Sequence, residues 1–457
     1  MILLKNCYCI KTEKDRENFF DMDILIEEGR IAEIGKNIHI PKDKQHSLRT
    51  IDASRHTVLP GLVNTHHHFY QTLTRNLPAI QNAKLFDWLV YLYEIWKHLD
   101  EDAVYWSTAL ATAELLKTGC TTTTDHHYLY PDTVSGDIMG IQFEGAADTG
   151  IRFCPTRGSM SRSKKDGGLP PDSVVQTEDD ILKDSRRVIE KFHNPSELSM
   201  QKIMLAPCSP FSVSENLMKQ SAELARKYGV RIHTHLAETR DEEEYCIEVY
   251  GRRPMKVMED TGFLGKDVSF AHGIFLGDKE LQVLADTGTH IAHCPSSNMR
   301  LGSGICRVKE MLKQGINVAL AVDGSASNDS SDMLGEIRNA MLLQRVAEGA
   351  DGLTADSAFK MATENGARLL GYNKLGRIAE GWGADLALFN VFKPEYAGAL
   401  QDPASALIFS GFNHGADYTI VNGKVVVENG TLKGINEEKL FTNAQAAADR
   451  LYRKAGI

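Results

Sequence analysis

The sequence predicts an α/β protein whose middle part is a (β/α)8 barrel and whose two ends together form a small β-sandwich domain. Between residues 58 and 370, short apolar segments alternate with segments of helical periodicity, which is typical of parallel strands joined by helices. Ionisable residues follow several of these apolar segments, where a barrel holds its active site. Residues 1–57 and 371–457 contain short strands and tight turns instead.

Both ends of the chain contain short apolar segments joined by tight turns. In the N-terminal part, apolar segments at 21–26 and 30–35 flank Glu28-Gly29, a pattern that indicates a β-hairpin. In the C-terminal part, segments 418–421 and 424–427 are joined by Asn422-Gly423, a preferred two-residue hairpin turn. Neither end carries a cluster of catalytic residue types, so we expect the chemistry to lie in residues 58–370.

The middle part offers one strand candidate for each position of an eight-stranded barrel. The candidates are short, apolar and separated by segments long enough for a helix. They lie at residues 57–64, 121–126, 151–156, 202–206, 230–235, 268–271, 289–293 and 318–322.

Three consecutive histidines follow the first of these strands. Because side chains alternate along a strand, His66 and His68 point to one face and His67 points to the other. Two imidazoles on one face can bind a single metal ion, and imidazole suits zinc, iron, copper or nickel. The alternative is a strand end with surface histidines.

Later strands supply matching ligand types. His235 ends strand five, His272 ends strand six and Asp323 ends strand eight. Together with the first pair they make a mixed nitrogen and oxygen site for a divalent cation, which lowers the pKa of a bound water from 15.7 to roughly 7. His233 is an alternative ligand that would lie deeper in the barrel. His272 could either bind the metal or hydrogen-bond the attacking water.

Glu238 lies three residues after His235. This odd spacing would put it on the opposite face of a continuous strand, so the chain must turn if both side chains are to face one site. Glu238 could then take a proton from the attacking water and pass it to a leaving nitrogen. The alternative is a glutamate that caps the acid-rich helix start at 239–245.

Composition excludes some classes of protein. The 457 residues carry a formal net charge of −10, which argues against a nucleic-acid partner. No run of about 18 apolar residues predicts a membrane span. The eight cysteines are scattered and form no paired CxxC motif, and the first residues do not have the pattern of a signal peptide. We therefore expect a cytoplasmic protein with reduced thiols.

These motifs resemble the amidohydrolase superfamily, in its mononuclear deaminase branch, over essentially the whole chain. Within that branch the chain is similar to the cluster of 8-oxoguanine deaminases, chloro-s-triazine hydrolases and guanine or S-adenosylhomocysteine deaminases. The similarity rests on residues 60–75, 85–89, 206–212, 234–238, 271–272, 293–298 and 322–328.

The resemblance implies a role for each matching residue. It implies one divalent metal, zinc or alternatively iron, bound by His66, His68, His235 and Asp323. It also implies that Glu238 is the proton shuttle and that His272 and Asp323 orient the attacking water. Four further residues are expected at the substrate: Gln71, whose amide can read a base edge, and Trp88, Cys208 and Ser327.

Two departures from the family pattern refine this expectation. Strand four ends without the lysine that bridges two metals in binuclear members, so a single metal is expected. Cys208 stands where S-adenosylhomocysteine deaminases have histidine, which favours a bare heterocycle over a nucleoside. Nothing beside Cys208 in the sequence would lower its pKa, so it is not expected to be a nucleophile.

Two segments are expected near the barrel mouth. Trp88, Tyr91 and Trp96 have the spacing of a buried helix stripe, and the alternative is a lid that stacks on a flat substrate. Residues 157–174, with a Gly167-Gly168 pair, are expected to form a mobile loop over the mouth.

The expected function is hydrolytic deamination of an amino-substituted nitrogen heterocycle, with 8-oxoguanine, giving uric acid and ammonia, as the expected substrate. Isocytosine, guanine, a pterin or an s-triazine, including its dechlorination, are the alternatives. A silent binding scaffold would show gaps in the ligand set, and the sequence has none. Family analogy alone implies a homo-oligomer.

Overall fold

The structure is a computed structural model that describes residues 1–12, 18–134, 136–411 and 414–457. The strands of these residues are numbered in chain order. They are β1 (Ile2–Ile10), β2 (Phe19–Glu27), β3 (Arg30–Gly35), β4 (Arg49–Asp52), β5 (His56–Pro60), β6 (Leu62–Asn64), β7 (Cys120–Thr123), β8 (His126–His127), β9 (Arg152–Phe153), β10 (Thr156–Ser159), β11 (Met204–Pro207), β12 (Arg231–Leu236), β13 (Val268–His272), β14 (His290–His293), β15 (Val318–Leu320), β16 (Leu386–Asn390), β17 (Tyr418–Val421), β18 (Lys424–Glu428) and β19 (Thr431–Leu432).

The α-helices of the same residues are numbered in the same way. They are α1 (Leu85–Trp96), α2 (Glu101–Lys117), α3 (Ile138–Thr149), α4 (Glu178–Phe192), α5 (Glu215–Tyr228), α6 (Arg240–Tyr250), α7 (Pro254–Asp260), α8 (Asp278–Thr287), α9 (Pro295–Arg300), α10 (Val308–Lys313), α11 (Ser325–Asn328), α12 (Met333–Glu348), α13 (Ala355–Met361), α14 (Glu364–Leu369), α15 (Pro403–Phe409) and α16 (Glu437–Ala455). None of them is both long and apolar enough to cross a membrane.

The parallel strands of the middle part form the barrel. Seven of them pair in the order β15-β14-β13-β12-β11-β10-β8, and β6-β7-β9 form a second set. The last strand returns to the first, because the Thr65 N–H donates to the Leu320 carbonyl and the Asp323 N–H donates to the His66 carbonyl. The predicted (β/α)8 architecture is therefore confirmed, with strand one and strand eight side by side.

Three of the predicted barrel strands are divided. The strand predicted at 121–126 forms β7 and β8, and the one predicted at 151–156 forms β9 and β10. Pro155 lies between β9 and β10 and has no N–H to donate. The strand predicted at 57–64 is also divided at Gly61, after which β6 enters the barrel. A Cβ atom at Gly61 would lie 2.2 Å from the Thr121 hydroxyl oxygen.

The two ends of the chain share one sheet of nine strands. Its order is β19-β18-β17-β16-β5-β1-β2-β3, and β4 pairs with β1. The central pair joins the two ends, since β5 runs antiparallel to β16 and parallel to β1. The predicted hairpin turns at Glu28-Gly29 and Asn422-Gly423 connect β2 to β3 and β17 to β18.

A buried ion pair joins this sheet to the barrel. The Arg152 guanidinium on β9 donates to both carboxylate oxygens of Asp385 at 3.0 and 3.1 Å. Asp385, directly before β16, also accepts the N–H of Asn422 at the hairpin turn. Both charged side chains are at most 2% exposed, so the pair lies inside the protein.

The long C-terminal helix α16 is not predicted by the sequence analysis, which expected strands in this region. Asn436 caps its first turn by accepting the Lys439 N–H. Its buried stripe consists mainly of alanines, and it packs against α1 and α2 beside the barrel mouth. The Tyr452 hydroxyl donates to the Leu73 carbonyl at 2.9 Å, close to the predicted metal-binding strand.

Candidate active site

The structure brings the four predicted metal ligands together at the carboxyl ends of the barrel strands. His66 Nε2 and His68 Nε2 each lie 3.4 Å from Asp323 Oδ1. His68 Nε2 lies 3.2 Å from His235 Nε2. Donors about 2.0–2.1 Å from a tetrahedral zinc ion stand about 3.3–3.4 Å apart. These three distances fit neighbouring donors on one small divalent cation.

The hydrogen bonds of His68 and His235 show that the Nε2 atom of each ring carries a free lone pair. His68 Nδ1 lies 2.8 Å from the His126 carbonyl, and His235 Nδ1 lies 2.7 Å from the Cys208 carbonyl. Each Nδ1 must carry the proton, because a carbonyl can only accept. In the neutral rings both Nε2 atoms are then acceptors, with no hydrogen to bridge the 3.2 Å between them. A cation satisfies both.

His66 is held by a second histidine. His66 Nδ1 lies 2.8 Å from His233 Nε2, and His233 Nδ1 lies 2.8 Å from the Ser269 hydroxyl. The buried Nε2 of His66 has no hydrogen-bond partner in the described part of the chain. His233, the alternative ligand of the sequence analysis, thus lies behind His66 and orients it, as outer partners of metal-binding histidines do.

The electrostatics favour the metal-binding protonation states. Burial lowers the pKa values of His66, His68 and His235, so these rings are neutral at pH 7. Burial opposes ionisation of Asp323, but the contact with His66 and the neighbouring imidazoles hold its pKa well below the ordinary value. Neutral imidazole and ionised carboxylate are the forms that bind metal.

Glu238 faces the same site because the chain turns before it. Ala237 has a positive φ of 55°, which few residues other than glycine adopt. The turn places Glu238 Oε2 3.5 Å from His272 Nε2, and the Ser303 hydroxyl lies 3.5 Å from Oε1. Burial raises the pKa of Glu238 to about 7. Glu238 precedes α6, whose N-cap residue is Thr239, so the alternative of a helix-capping glutamate is wrong, and the role as proton shuttle stays a prediction.

His272 lies between Glu238 and Asp323. Its Nε2 is 3.9 Å from Asp323 Oδ2, and its Nδ1 donates to Asn298 Oδ1 at 2.9 Å. Burial opposes protonation, but the negative charges of Glu238 and Asp323 raise the pKa of His272. His272 and Asp323 also have positive φ angles of 72° and 66°. Such backbone strain is concentrated at functional sites.

A cavity opens onto these groups at the carboxyl ends of the barrel strands. All four residues predicted to contact the substrate line it, together with the ligands and several apolar side chains. The lining residues are His68, Gln71, Leu85, Trp88, Leu89, Tyr93, Tyr128, Cys208, Phe211, His235, Glu238, His272, Leu301, Asp323 and Ser327.

Gln71 is fixed against the loop that follows Asp323. Its Oε1 accepts the Ala326 N–H at 3.3 Å. A Cβ atom at Gly324 would lie 1.9 Å from this oxygen, so a larger residue at this position would displace the Gln71 amide. The Ser327 hydroxyl lies 3.4 Å from Asp323 Oδ2 and thus links the cavity wall to a predicted ligand.

Trp88 and Cys208 also line the cavity. Trp88 is buried on α1, whose apolar stripe packs into the core, as the helix-stripe interpretation predicted. Its stacking on a flat substrate stays a prediction. Trp96 is buried as well, and Tyr91 is half-buried. Burial raises the pKa of the Cys208 thiol to about 12, so it stays protonated at neutral pH.

The remaining histidines differ in their surroundings. His126, His127 and His290 each hydrogen-bond a backbone carbonyl through Nε2, as expected of structural histidines. His126 additionally stacks on His235 at a ring distance of 4.8 Å, which the sequence did not indicate. His293 is different, because neither of its buried ring nitrogens has a hydrogen-bond partner among the described residues.

The segment predicted as a loop over the mouth begins as a strand. Residues 157–159 belong to β10, and the Arg157 guanidinium is buried against Asp184 and Gln176. Further along, Arg162 donates to the hydroxyls of Tyr245 and Tyr250.

Known proteins resemble this chain over most of its length. The sequence profile of the amidohydrolase family matches residues 57–426. An 8-oxoguanine deaminase from Pseudomonas aeruginosa is 45% identical over 428 residues, which are 94% of each chain. A hydroxydechloroatrazine ethylaminohydrolase from Pseudomonas sp. strain ADP is 36% identical and aligns with 95% of this chain and 91% of its own.

A solved structure has the same fold throughout. The atrazine chlorohydrolase of Arthrobacter aurescens TC1, crystallised with zinc, superimposes with a TM-score of 0.92 and 31% identity. The match covers 98% of this chain and 100% of that one. The resemblance inferred from the motifs is confirmed, and the chain belongs to the amidohydrolase family.

Proposed function

We propose that the protein is a metal-dependent hydrolytic deaminase that converts 8-oxoguanine and water to uric acid and ammonia. The observation that carries the chemistry is the set of donors of His66, His68, His235 and Asp323, 3.2–3.4 Å apart where they are neighbours. Glu238 lines the same cavity, 3.5 Å from His272. Among divalent cations we propose zinc, because three imidazoles and one carboxylate suit it and a zinc-bound relative has the same fold.

The proposed roles follow from where each side chain lies. A divalent cation at this site supplies a water of lowered pKa, from 15.7 to roughly 7 on zinc. The Glu238 carboxylate accepts a proton from the attacking water and delivers it to the departing nitrogen. His272 and Asp323 orient that water from the other side. A C–O bond forms at the ring carbon bearing the exocyclic amine, the C–N bond breaks, and ammonia leaves.

The cavity supports a flat, bare heterocycle as substrate. Aromatic and apolar side chains form most of its wall, and Gln71 and Ser327 supply polar groups at one side. The choice of 8-oxoguanine rests on the relative that shares 45% identity over almost the full chain. Isocytosine, guanine, a pterin and an s-triazine are the alternatives. A glutamate shuttle favours an amine over chloride as leaving group, because chloride leaves without a proton.

Ammonia release by zinc-loaded protein tests this proposal. The substrates are 8-oxoguanine, guanine, isocytosine, isoxanthopterin, S-adenosylhomocysteine and a chlorotriazine. We expect the highest kcat/KM with 8-oxoguanine. A higher value with another heterocycle would reassign the substrate and keep the chemistry, whereas chloride release without ammonia release would replace deamination by dehalogenation.

We also propose that residues 1–57 and 371–457 form a separate β-sandwich domain and that residues 58–370 form the catalytic barrel. The shared nine-stranded sheet and its own buried apolar cluster support this division. A cytoplasmic location is supported by eight cysteines that are all free and buried. We propose a homo-oligomer by analogy, and a light-scattering mass of one chain would overturn it.

A further inference from the structure

Glu242 is a buried carboxylate next to the proposed catalytic site that the mechanism above does not use. It lies in the first turn of α6 and is 1% exposed. Its Oε1 accepts the N–H of Ala237 at 2.9 Å, and its Oε2 accepts the N–H of Glu238 at 2.9 Å. Both of its carboxylate oxygens are therefore used to hold the turn that precedes α6.

This arrangement differs from ordinary helix capping. A glutamate at the third helical position commonly reaches back to the N–H of the cap residue, which here is Thr239. Glu242 reaches beyond it to the two preceding residues. The hydroxyl of Thr239 is buried and has no hydrogen-bond partner in the described part of the chain. Glu242 thus stabilises the 237–238 turn and does not bind the cap residue.

The turn needs an external constraint. Ala237 has a φ of 55°, a conformation that disfavours side chains with a Cβ atom. The Ala237 carbonyl accepts the N–H groups of Ile274 and Phe275, which fixes the other side of the same peptide segment. Without the turn, a continuous strand would direct the Glu238 side chain away from His235.

We propose that Glu242 is a positioning residue that aims the Glu238 carboxylate at the reacting groups by holding the Ala237 and Glu238 N–H groups. The inference rests on the proposed function of Glu238 as proton shuttle. Glu242 belongs to neither the cavity lining nor the proposed ligand set. Removal of the Glu242 carboxylate should therefore lower turnover, while substrate binding and metal content stay the same.

A double-mutant cycle tests the proposal. Glu242→Gln keeps the shape of the side chain but replaces one acceptor by a donor that faces an N–H group. We expect kcat to fall by about 10²-fold, the loss that a displacement of about 1 Å can cause, with KM and metal content unchanged. In a Glu238→Gln background, the same substitution should change kcat by less than about twofold, because its effect acts through Glu238.

Glu244→Gln is the matched control, since it removes an exposed charge from the same helix, and it should leave kcat unchanged. Glu242→Asp, which is one methylene too short to reach both N–H groups, is the second variant if Glu242→Gln does not fold. Full kcat in a folded Glu242 variant, or equal losses in both backgrounds, would overturn the inference. An inactive wild-type protein would instead refute the proposed function itself.

Discussion

At the scale of single residues, burial gives Glu238 an acid–base chemistry unlike that of a surface glutamate. Its pKa rises from 4.5 to about 7, so the proton-accepting carboxylate is lost as the pH falls through that value. The positive charge of a bound cation lowers this pKa again. We therefore expect an acid limb in kcat/KM with a midpoint between 4.5 and about 7.

Glu238→Gln should remove this limb and lower kcat by about 10²–10⁴-fold, the usual contribution of a positioned general base. Metal content, measured at each pH, separates loss of the base from loss of the cation. An unchanged kcat in the substituted protein would refute the proposed role.

The contact between His233 and His66 makes a second prediction at this scale. His233→Ala leaves His66 Nδ1 without its 2.8 Å partner, so the ring loses its fixed orientation. Loss of an outer partner of this kind typically weakens metal binding by about 10–100-fold. Competition with a chelator measures the loss, and the exposed His46→Ala is the control. Equal affinities of the His233 variant and the wild-type protein would contradict the assigned geometry.

The sequence predicted the site residues well where one strand carries the signal. The alternation of faces placed His66 and His68 together, and the odd spacing of Glu238 correctly required a turn. Glu242 could not be predicted, because in the sequence it is one of several acids at the start of α6. Its burial depends on how the helix packs on the barrel, and no local pattern encodes that.

At the scale of elements, the carboxyl end of each barrel strand was easier to predict than its continuity. Apolar runs predicted all eight positions, but strands two and three are each divided into two short pieces. At strand three the interruption at Pro155 is visible in the sequence. Helix α16 was not predicted, although leucines and alanines are buried on one face of it while charged residues such as Glu438, Lys439 and Asp449 are exposed.

The buried pair between Arg152 and Asp385 makes a prediction about how elements are joined. Asp385→Ala leaves the guanidinium on β9 uncompensated and frees the N–H of Asn422. Breaking a buried ion pair costs about 3–5 kcal/mol. We expect a clear decrease in the free energy of unfolding, measured by guanidinium denaturation.

The control is Glu259→Ala, which removes a half-buried partner of the exposed Lys256 and should cost no more than about 1 kcal/mol. Equal effects of the two substitutions would show that the Arg152 pair does not stabilise the junction between the sheet and the barrel.

At the scale of the whole molecule, distant parts of the chain meet at one site. The first and last barrel strands are adjacent, so His66 and Asp323, which are 257 positions apart in the sequence, become neighbours. The shared terminal sheet brings the two chain ends together on β5, directly before the strand that carries the histidines. Neither the pairing of the first and last barrel strands nor the shared terminal sheet can be seen in the sequence, because both join segments that lie far apart along the chain.

Titration of metal-free protein with zinc tests the central claim most directly. Ammonia release from 8-oxoguanine is measured after each addition, and bound zinc is quantified in the same samples. The four-donor site predicts no activity without metal and a linear rise that levels off at about one zinc per chain, as one mononuclear site requires. Full turnover by metal-free protein, or a plateau only at two metals per chain, would contradict the mononuclear site built from His66, His68, His235 and Asp323.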